Sequence, residues 1–359
     1  MSHVYKKFVQ EKVAGLVDNA ENIRNCTVIA HIDHGKTTLT DSLIAASGLL
    51  SDRVAAKARL LDYDMIEQER GITIKASGIS LLHEREGRNH LIHLIDTPGH
   101  IDFSSHVTRG LRLTDGAIVV VDVIEGIMVQ TETVSRQAMQ ELVRPMLFIN
   151  KIDRLVNEKR LGAKEIASEI SKVTREFNGM LGKYLDDELL EQWEVSFNKN
   201  SLVIGSALDK WGVSVSTLLQ KTNGNSSDAR LAEAFLDILN EVVNAYRGDN
   251  EDSLHEKYPV APVLLDSLVE VIPNPPTAQS YRMERIWEGD VGSEAARPLL
   301  DCDPEGPVVI LVGNVEPDRH AGTVATVRVF SGTLDRAAPL RNLRSDAVDK
   351  SLQVGISMV

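Results

Sequence analysis

Short apolar segments alternate with amphipathic segments along most of the chain before residue 218. Four runs, NCTVIA, AIVVVDV, PMLFIN and SLVIGSA, are rich in β-branched residues and have apolar side chains on both faces. Such runs are typical of parallel strands that are covered on both sides. Because helical spacing of apolar residues returns between them, the pattern predicts a mostly parallel α/β sheet with helices on both faces.

The individual elements follow from the same spacing. Val9, Val13, Leu16 and Val17 predict an amphipathic helix near the start of the chain. Two apolar runs within 81–95 are separated by EREGRN, whose Glu-Gly and Arg-Asn pairs favour turns, and they predict a hairpin. Helices are further predicted at about 38–46, 133–142, 162–181, 230–246 and 262–271.

Two changes of pattern predict the domain organisation. The polar breakers TNGNSSD and GDNEDS flank the helix at 230–246 and indicate a helical insertion, whereas PNPP ends the next helix and is expected to begin a linker. After Gly306, strands alternate with a Gly-containing turn, which predicts a β-barrel that the chain does not complete. The predicted divisions are a core with its N-terminal helix at 1–217, the insertion at 218–257, the end of the first domain and the linker at 258–305, and the incomplete barrel at 306–359.

Composition narrows the function classes. The 359 residues include 39 Lys and Arg and 52 Asp and Glu, giving a formal net charge of −13. Binding of nucleic acid through bulk positive charge is excluded, so any RNA contact must be local or made outside this chain. The two cysteines, Cys26 and Cys302, cannot build a disulfide framework. With neither a secretory signal nor a bilayer-length apolar stretch, the sequence predicts a cytoplasmic protein without membrane or DNA partners.

The segment AHIDHGKT, 30–37, lies between a predicted strand and a predicted helix. Successive backbone N–H groups at such a junction form a nest that binds anions. Lys36 could reach the β- and γ-phosphates of a nucleotide, and the Thr37 hydroxyl could bind Mg²⁺. Ala30 stands where the strict pattern has Gly, so the segment alone also fits a surface loop that happens to contain GKT.

The segment DTPGH, 96–100, follows another apolar strand. Asp96 stands where a carboxylate can hold Mg²⁺, and Gly99 leaves room for a backbone N–H to meet a γ-phosphate. Taken alone, the segment fits an ordinary strand end and turn equally well. Thr73, in ERGITI, is a second hydroxyl that could bind the metal ion.

The segment NKID, 150–153, follows a third predicted strand and indicates which nucleotide base the site binds. The Asp153 carboxylate can accept both N–H donors of guanine, at N1 and the 2-amino group, and adenine lacks that pair. Lys151 can lay its aliphatic stem against the base, and the Ala207 N–H can meet the guanine carbonyl. Because these segments all follow strands, together they predict a guanine-nucleotide site at the carboxyl edge of the sheet.

In this combination the chain resembles the translational GTPases. The segments AHIDHGKT, ERGITI, DTPGH, NKID and GSA carry the resemblance; EQERGITI, IDTPGHIDF, EGIMVQTETV, INKIDRL, TAQSYR, CDPEGPVV and RVFSGTL make it closest to ribosomal translocases of the archaeal type. The resemblance covers nearly the whole chain. It implies an α/β P-loop GTPase domain, a following β-barrel domain of which only part is present, and therefore a fragment of a longer protein.

The resemblance also implies roles for individual residues. His100 would position the attacking water, with Ile32 and Ile72 as an apolar gate, although a His after a Pro-Gly turn is more often a surface residue. The implied phosphate-binding residues are Asp33, His34, Gly35, Lys36, Thr37, Thr38 and Gly99; the implied guanine-binding residues are Asn150, Lys151, Asp153, Ser206 and Ala207; the implied Mg²⁺ ligands are Thr37, Thr73 and Asp96.

The implied activity is ribosome-stimulated hydrolysis of GTP to GDP and phosphate, which drives tRNA–mRNA translocation. Ribosomal RNA and stalk proteins would be the partners of the full-length protein. Two alternatives stay open: a nucleotide-dependent binding module without useful turnover, and a sister translational GTPase that delivers tRNA or supports initiation or release. An ATPase is disfavoured by Asp153.

Overall fold

The computed structural model describes residues 15–16, 19–46, 77–96, 104–224, 226–318, 322–335, 340–341 and 348–349. The chain divides into two compact units, one ending at Pro273 and the other beginning at Asn274. Gly15 and Leu16 are helical, and the rest of the predicted N-terminal helix lies outside the described residues.

A seven-stranded sheet forms the centre of the first unit, in the order β2-β3-β1-β4-β5-β6-β7. Its strands are β1 (Ile23–Ala30), β2 (Ser77–Arg85), β3 (Arg88–Asp96), β4 (Gly116–Asp122), β5 (Arg144–Asn150), β6 (Leu202–Ser206) and β7 (Trp211–Val213). The five strands from β3 to β6 in that order are parallel, and β2 and β7 are antiparallel edge strands. The predicted hairpin is β2–β3, which turns at Glu86 and Gly87, both at positive φ.

Helices cover this sheet. Those of the first unit are α1 (Lys36–Ala46), α2 (Ser104–Leu113), α3 (Val129–Gln140), α4 (Ile152–Asn157), α5 (Ala163–Leu181), α6 (Asp187–Trp193), α7 (Val215–Lys221), α8 (Asp228–Arg247), α9 (Asp252–Lys257) and α10 (Val260–Val271). The core joins apolar residues of the strands with those of α1 and α10. Every residue of β4 and β6 is buried, which confirms the predicted α/β sheet and explains the apolar runs.

The register of the parallel strands aligns their carboxyl ends. Val28 of β1 pairs with Asp96 of β3, and Asp122 of β4 pairs with Asn150 of β5. In the sheet, β3 lies on one side of β1 and β4 lies on its other side. The direction in which successive strands are added to the sheet therefore reverses at β1. Ligands of open α/β sheets bind at such a switch point, outside the carboxyl ends of the strands.

Helices α7 to α9 occupy the region predicted as an insertion. The Glu241 carboxylate of α8 joins them, since it accepts hydrogen bonds from Lys221, Lys257 and the Tyr258 hydroxyl. Burial opposes ionisation of Glu241, but these three donors outweigh it and lower its pKa to about 2. The Glu241 side chain therefore stays charged across the physiological pH range and ties the three helices together.

The second unit begins with a helix where the sequence predicts a linker. Helix α11 (Pro275–Ile286) starts at Asn274, whose side chain accepts the Thr277 N–H at 2.9 Å. Two prolines in the first turn lack N–H groups that would have no partner there in any case, so PNPP begins a helix as readily as it ends one. The short helix α12 is Arg297–Leu300.

Antiparallel strands complete the described part of the second unit. Strand β8 (Val309–Asp318) pairs with β9 (Gly322–Ser331), and β10 (Leu340–Arg341) pairs with β11 (Val348–Asp349). This arrangement agrees with the predicted incomplete barrel, and the predicted last strand, 351–359, lies outside the described residues. Among the helices that the structure describes, none has both the length and the apolar character that crossing a bilayer requires.

Candidate functional site

The loop between β1 and α1 has the backbone of an anion-binding nest. Asp33 and Gly35 both have positive φ, at 63° and 95°, which turns the chain sharply before the helix begins. Lys36 opens α1 and is 8% exposed, and Thr37 and Thr38 follow it in the first turn. The loop therefore combines the N–H groups of a helix N-terminus with a lysine, which suits a phosphate group.

The ring of His34 anchors this loop to the sheet. It is fully buried, with Nδ1 at 3.4 Å from the Val120 carbonyl oxygen and Nε2 at 3.1 Å from a Glu125 carboxylate oxygen. Burial, together with the His31 ring at 5.0 Å, lowers the pKa of His34. A neutral His34 ring is thus held against β4, and the phosphate-binding role of His34 stays a prediction.

Asn150, the last residue of β5, connects the two halves of the site. Its Nδ2 donates to the His34 carbonyl oxygen at 2.8 Å, and its Oδ1 accepts the Ala207 N–H at 2.8 Å. The side chain is 2% exposed. One buried amide therefore fixes the loop predicted to bind phosphate relative to the loop predicted to bind the base.

Gly35 is required by this connection. A Cβ built on Gly35 would lie 2.2 Å from the Asn150 Nδ2, far inside any real contact distance. The amide cannot move aside without losing one of its two hydrogen bonds. Positive φ and close packing therefore both select glycine at this position.

Replacing Gly35 by Ala is expected to lower the free energy of unfolding by about 2–4 kcal/mol, since backbone strain and overpacking each cost about 1–3 kcal/mol. Chemical denaturation measures this effect. The matched control is Gly87→Ala at the β2–β3 turn, where φ is also positive but nothing lies within 4 Å of the added Cβ. That control should cost about 1 kcal/mol. Equal losses in the two variants would contradict the clash with Asn150.

The Asp153 carboxylate, in the first turn of α4, is incompletely paired. Its Oδ1 is buried and has no hydrogen-bond partner. Burial raises the pKa of Asp153, a hydrogen bond from Ser206 works against that shift, and the Asp209 charge adds to it. A buried oxygen without a donor is costly, so this atom indicates a ligand that supplies N–H groups.

Asp122, at the end of β4, is a site residue that the sequence reasoning missed. Its buried carboxylate pairs with Lys151 Nζ at 2.9 Å and with Arg154 at 2.8 Å, and it accepts the Ile124 N–H at 2.8 Å. Although burial raises the pKa of Asp122, these partners lower it overall. Asp122 orients Lys151, which stands in the left-handed region with φ 63°. The signal that could have found it is the one applied to Asp96, an acidic residue that ends an apolar strand.

The remaining predicted residues fall into two groups. Ser206 ends β6 and is fully buried, with Ala207 directly after it. Asp96 is the last residue of β3. The positions of Thr73, Gly99, His100 and Ile72 lie outside the described residues. Within the described ranges, no cluster of three or more His, Cys, Asp or Glu could hold a metal ion.

The site lies within a domain shared with known proteins. A family model described as the Elongation factor Tu GTP binding domain matches residues 21–274, about seven tenths of the chain. The chain belongs to this family. Every described residue of the candidate site lies within the matched range.

Individual members of the family are similar over almost the whole chain. Proteins named Elongation factor 2 from Metallosphaera sedula and Sulfolobus acidocaldarius are 44% identical to it, and the one from Saccharolobus solfataricus is 45% identical. Each match covers 97% of this chain and 46% of the relative. The chain thus spans about half the length of the curated relatives it matches.

Proposed function

We propose that the chain is the GTP-binding and GTP-hydrolysing part of a ribosomal translocase that drives tRNA–mRNA translocation. Membership of a family of GTP-binding domains supports GTP as the nucleotide that the chain binds. The name Elongation factor 2, carried by relatives that match 97% of this chain, supports a role in protein synthesis. Because this chain spans only about half of them, translocation itself would need the rest of the protein.

One observation carries the choice of guanine nucleotide. Asp153 holds a buried oxygen without a donor, on the same edge of the sheet where Asn150 joins the phosphate loop to Ala207. Guanine offers two N–H groups to a carboxylate, and adenine cannot supply that pair. The phosphates would then lie on the β1–α1 loop, with the base beside α4.

The proposed residue roles follow these positions. The groups proposed to bind the phosphates come from the backbone and side chains of Asp33, His34, Gly35, Lys36, Thr37, Thr38 and Gly99. At the base, Asp153 would accept the guanine N–H groups and Lys151 would lie along the ring face. Asn150 and Ala207 would hold the surrounding loops in place, and Ser206 would lie beside Asp153. Asp122 is added as the residue that holds Lys151.

Thr37, Thr73 and Asp96 would hold Mg²⁺. The residue types fit a hard cation that prefers oxygen ligands. Thr37 opens α1 directly after β1, and Asp96 ends β3, which pairs with β1, so two of the three belong to the same edge of the sheet. When bound, the ion would neutralise charge on the phosphates.

Hydrolysis would depend mainly on positioning, because phosphoryl transfer needs little covalent help from a protein. His100 would orient the attacking water, with Ile32 and Ile72 limiting access of other water. Loss of the γ-phosphate would remove the contacts of Thr73 and Gly99, and this difference would couple hydrolysis to a conformational change. Ribosomal RNA would align His100, so the chain alone should hydrolyse GTP slowly.

The partners of the full-length protein would be ribosomal RNA and stalk proteins. The protein would act in the cytoplasm. The GTPase domain would comprise the core at 1–217, the helical insertion at 218–257 and the first part of 258–305, the rest of that segment would be the linker, and the barrel domain would begin at 306.

Equilibrium binding of GDP, GTP and ATP to the 359-residue chain, with Mg²⁺ present, tests the proposal. Affinity for both guanine nucleotides should exceed that for ATP by at least about 100-fold, because a site built to hydrogen-bond a substrate rejects an analogue that lacks the donors. GTP turnover with and without ribosomes, measured on the full-length protein, separates a translocase from a binding module. Equal binding of ATP, or turnover that ribosomes leave unchanged, would contradict the proposal.

A further inference from the structure

The turn after β4 brings a carboxylate to the loop between β1 and α1. Asp122 ends β4, and its Oδ1 accepts the Ile124 N–H at 2.8 Å and the Glu125 N–H at 3.4 Å. The Gly126 N–H donates to the Asp122 carbonyl oxygen at 2.9 Å, and Gly126 has φ 67°. The turn is therefore closed by its own hydrogen bonds. It places Glu125 Oε2 at 3.1 Å from His34 Nε2.

The contact with Glu125 decides which ring nitrogen of His34 carries the proton. Nε2 faces the carboxylate oxygen at 3.1 Å, and Nδ1 faces the Val120 carbonyl oxygen at 3.4 Å, so both neighbours are acceptors. A neutral ring has only one N–H, and the charged acceptor at the shorter distance makes the stronger hydrogen bond. Nε2 therefore donates to Glu125. The ring is fully buried, so it depends on Glu125 for its hydrogen bond.

His34 lies at the centre of the turn in the loop proposed to bind phosphate. Asp33 before it and Gly35 after it both have positive φ, and at a residue other than glycine this conformation persists only when neighbouring contacts hold it. Asn150 Nδ2 donates to the His34 carbonyl oxygen at 2.8 Å, while Glu125 accepts from the His34 ring. The loop is thus fixed at His34 by one contact to the main chain and by a second contact to the side chain.

We propose that Glu125 is a positioning residue for the nucleotide phosphates, acting through the His34 ring on the loop between β1 and α1. The Glu125 side chain is 40% exposed, and its negative charge would repel phosphates rather than bind them. Its contribution is the hydrogen bond that keeps the N–H groups of the loop aimed at the ligand. This inference rests on the proposed function, because it assigns a supporting residue to the same phosphate site.

The test compares two substitutions that both remove the charge of Glu125. Glu125→Gln keeps an oxygen that can accept the His34 Nε2–H, whereas Glu125→Ala keeps none. Relative to Glu125→Gln, Glu125→Ala should weaken GDP binding to the 359-residue chain about 3- to 10-fold, the fold-change that corresponds to losing one hydrogen bond. GMP has no β-phosphate and should lose less, so the ratio of GDP to GMP affinity should fall at least about 2-fold. Loss of folded protein would lower both affinities alike and leave this ratio unchanged.

The matched control is Asp266→Ala. Asp266 of α10 also accepts a hydrogen bond from a histidine, since His83 Nε2 lies 2.8 Å from its Oδ1. His83 pairs with His90 near the start of β3, so this contact lies away from the carboxyl edge of the sheet. Asp266→Ala therefore removes the same kind of contact and should leave the ratio of GDP to GMP affinity unchanged.

The outcomes separate the positioning role from the proposed function. An equal ratio in Glu125→Ala and Glu125→Gln would overturn the positioning role, and so would an equal fall of the ratio in Asp266→Ala. In a His34→Ala background the two Glu125 variants should have the same ratio, and a difference that persists there would contradict action through the His34 ring. Failure of the unaltered chain to prefer GDP over ATP would overturn the proposed function instead.

Discussion

Replacing Asp153 by Asn is expected to lower the affinity for GDP by about 100- to 1000-fold. Each hydrogen bond from guanine to a charged acceptor is worth about 1.5–3 kcal/mol, and the variant loses the charge that both bonds share. The introduced amide would also point its own donors at the guanine 2-amino group. Because Asp153 Oδ1 has no partner inside the protein, the substitution leaves no internal hydrogen bond at that atom broken.

The same variant provides its own control. Xanthine carries a carbonyl where guanine carries the 2-amino group, so the amide introduced by Asp153→Asn should accept N1–H and donate to that carbonyl. Affinity for XDP should therefore rise while affinity for GDP falls, which loss of folding cannot produce. Isothermal titration with GDP, XDP and ADP measures all three. A variant that binds GDP as tightly as the unaltered chain would remove Asp153 from the base site.

Replacing His100 by Ala is expected to lower ribosome-stimulated kcat by about 100- to 10,000-fold, the usual contribution of a side chain that positions or activates a nucleophile. The loss should fall on kcat because His100 is proposed to act on water rather than on the nucleotide. Affinities for GDP and GTP should stay the same. The measurement is single-turnover hydrolysis of GTP by the full-length protein on ribosomes.

Three outcomes of this measurement are informative about the role of His100. A reduced rate with unchanged nucleotide affinity supports a water-positioning residue. An unchanged rate would mean that another group orients the water, and a parallel loss of GTP affinity would assign His100 to binding instead.

Much of the central fold follows from local pattern. Strands β4 and β6 are buried along their whole length, so burial on both faces produces the apolar runs that predict them. Helix α8 extends from Asp228 to Arg247, close to the predicted 230–246, because its apolar spacing is regular over its 20 residues. Strong periodicity over a long segment leaves few competing structures.

Other elements depend on contacts that sequence does not display. Strand β7 has three residues, too few for a period, and exists because Val213 pairs with Ile204 of β6. The linker predicted after PNPP is helix α11, since Asn274 caps it. Asn and Pro are common both at the start of a helix and in segments that interrupt helices. The pattern alone therefore could not decide between a helix and a linker after PNPP.

In the candidate site, too, some features follow from local pattern and others depend on contacts between distant residues. Motifs identify Lys36, Asn150 and Asp153 because residue type and chain order are enough to suggest their chemistry. They do not reveal that Glu125 meets His34 from 91 positions away, since that contact exists only after β1 and β4 pair. Nor do they show which atoms the Asn150 amide joins, because both its partners are backbone groups of distant loops.

The Asn150 amide has a consequence for how the ligand's parts contribute to affinity. The Asn150 amide is hydrogen-bonded both to the loop proposed to bind the phosphates and to the loop proposed to bind the base. Ordering either loop therefore also orders the other, and the entropy of that ordering is lost only once. Pyrophosphate and guanosine, offered as separate molecules, should each bind more tightly when the other is present, and their free energies should not sum to that of the intact nucleotide.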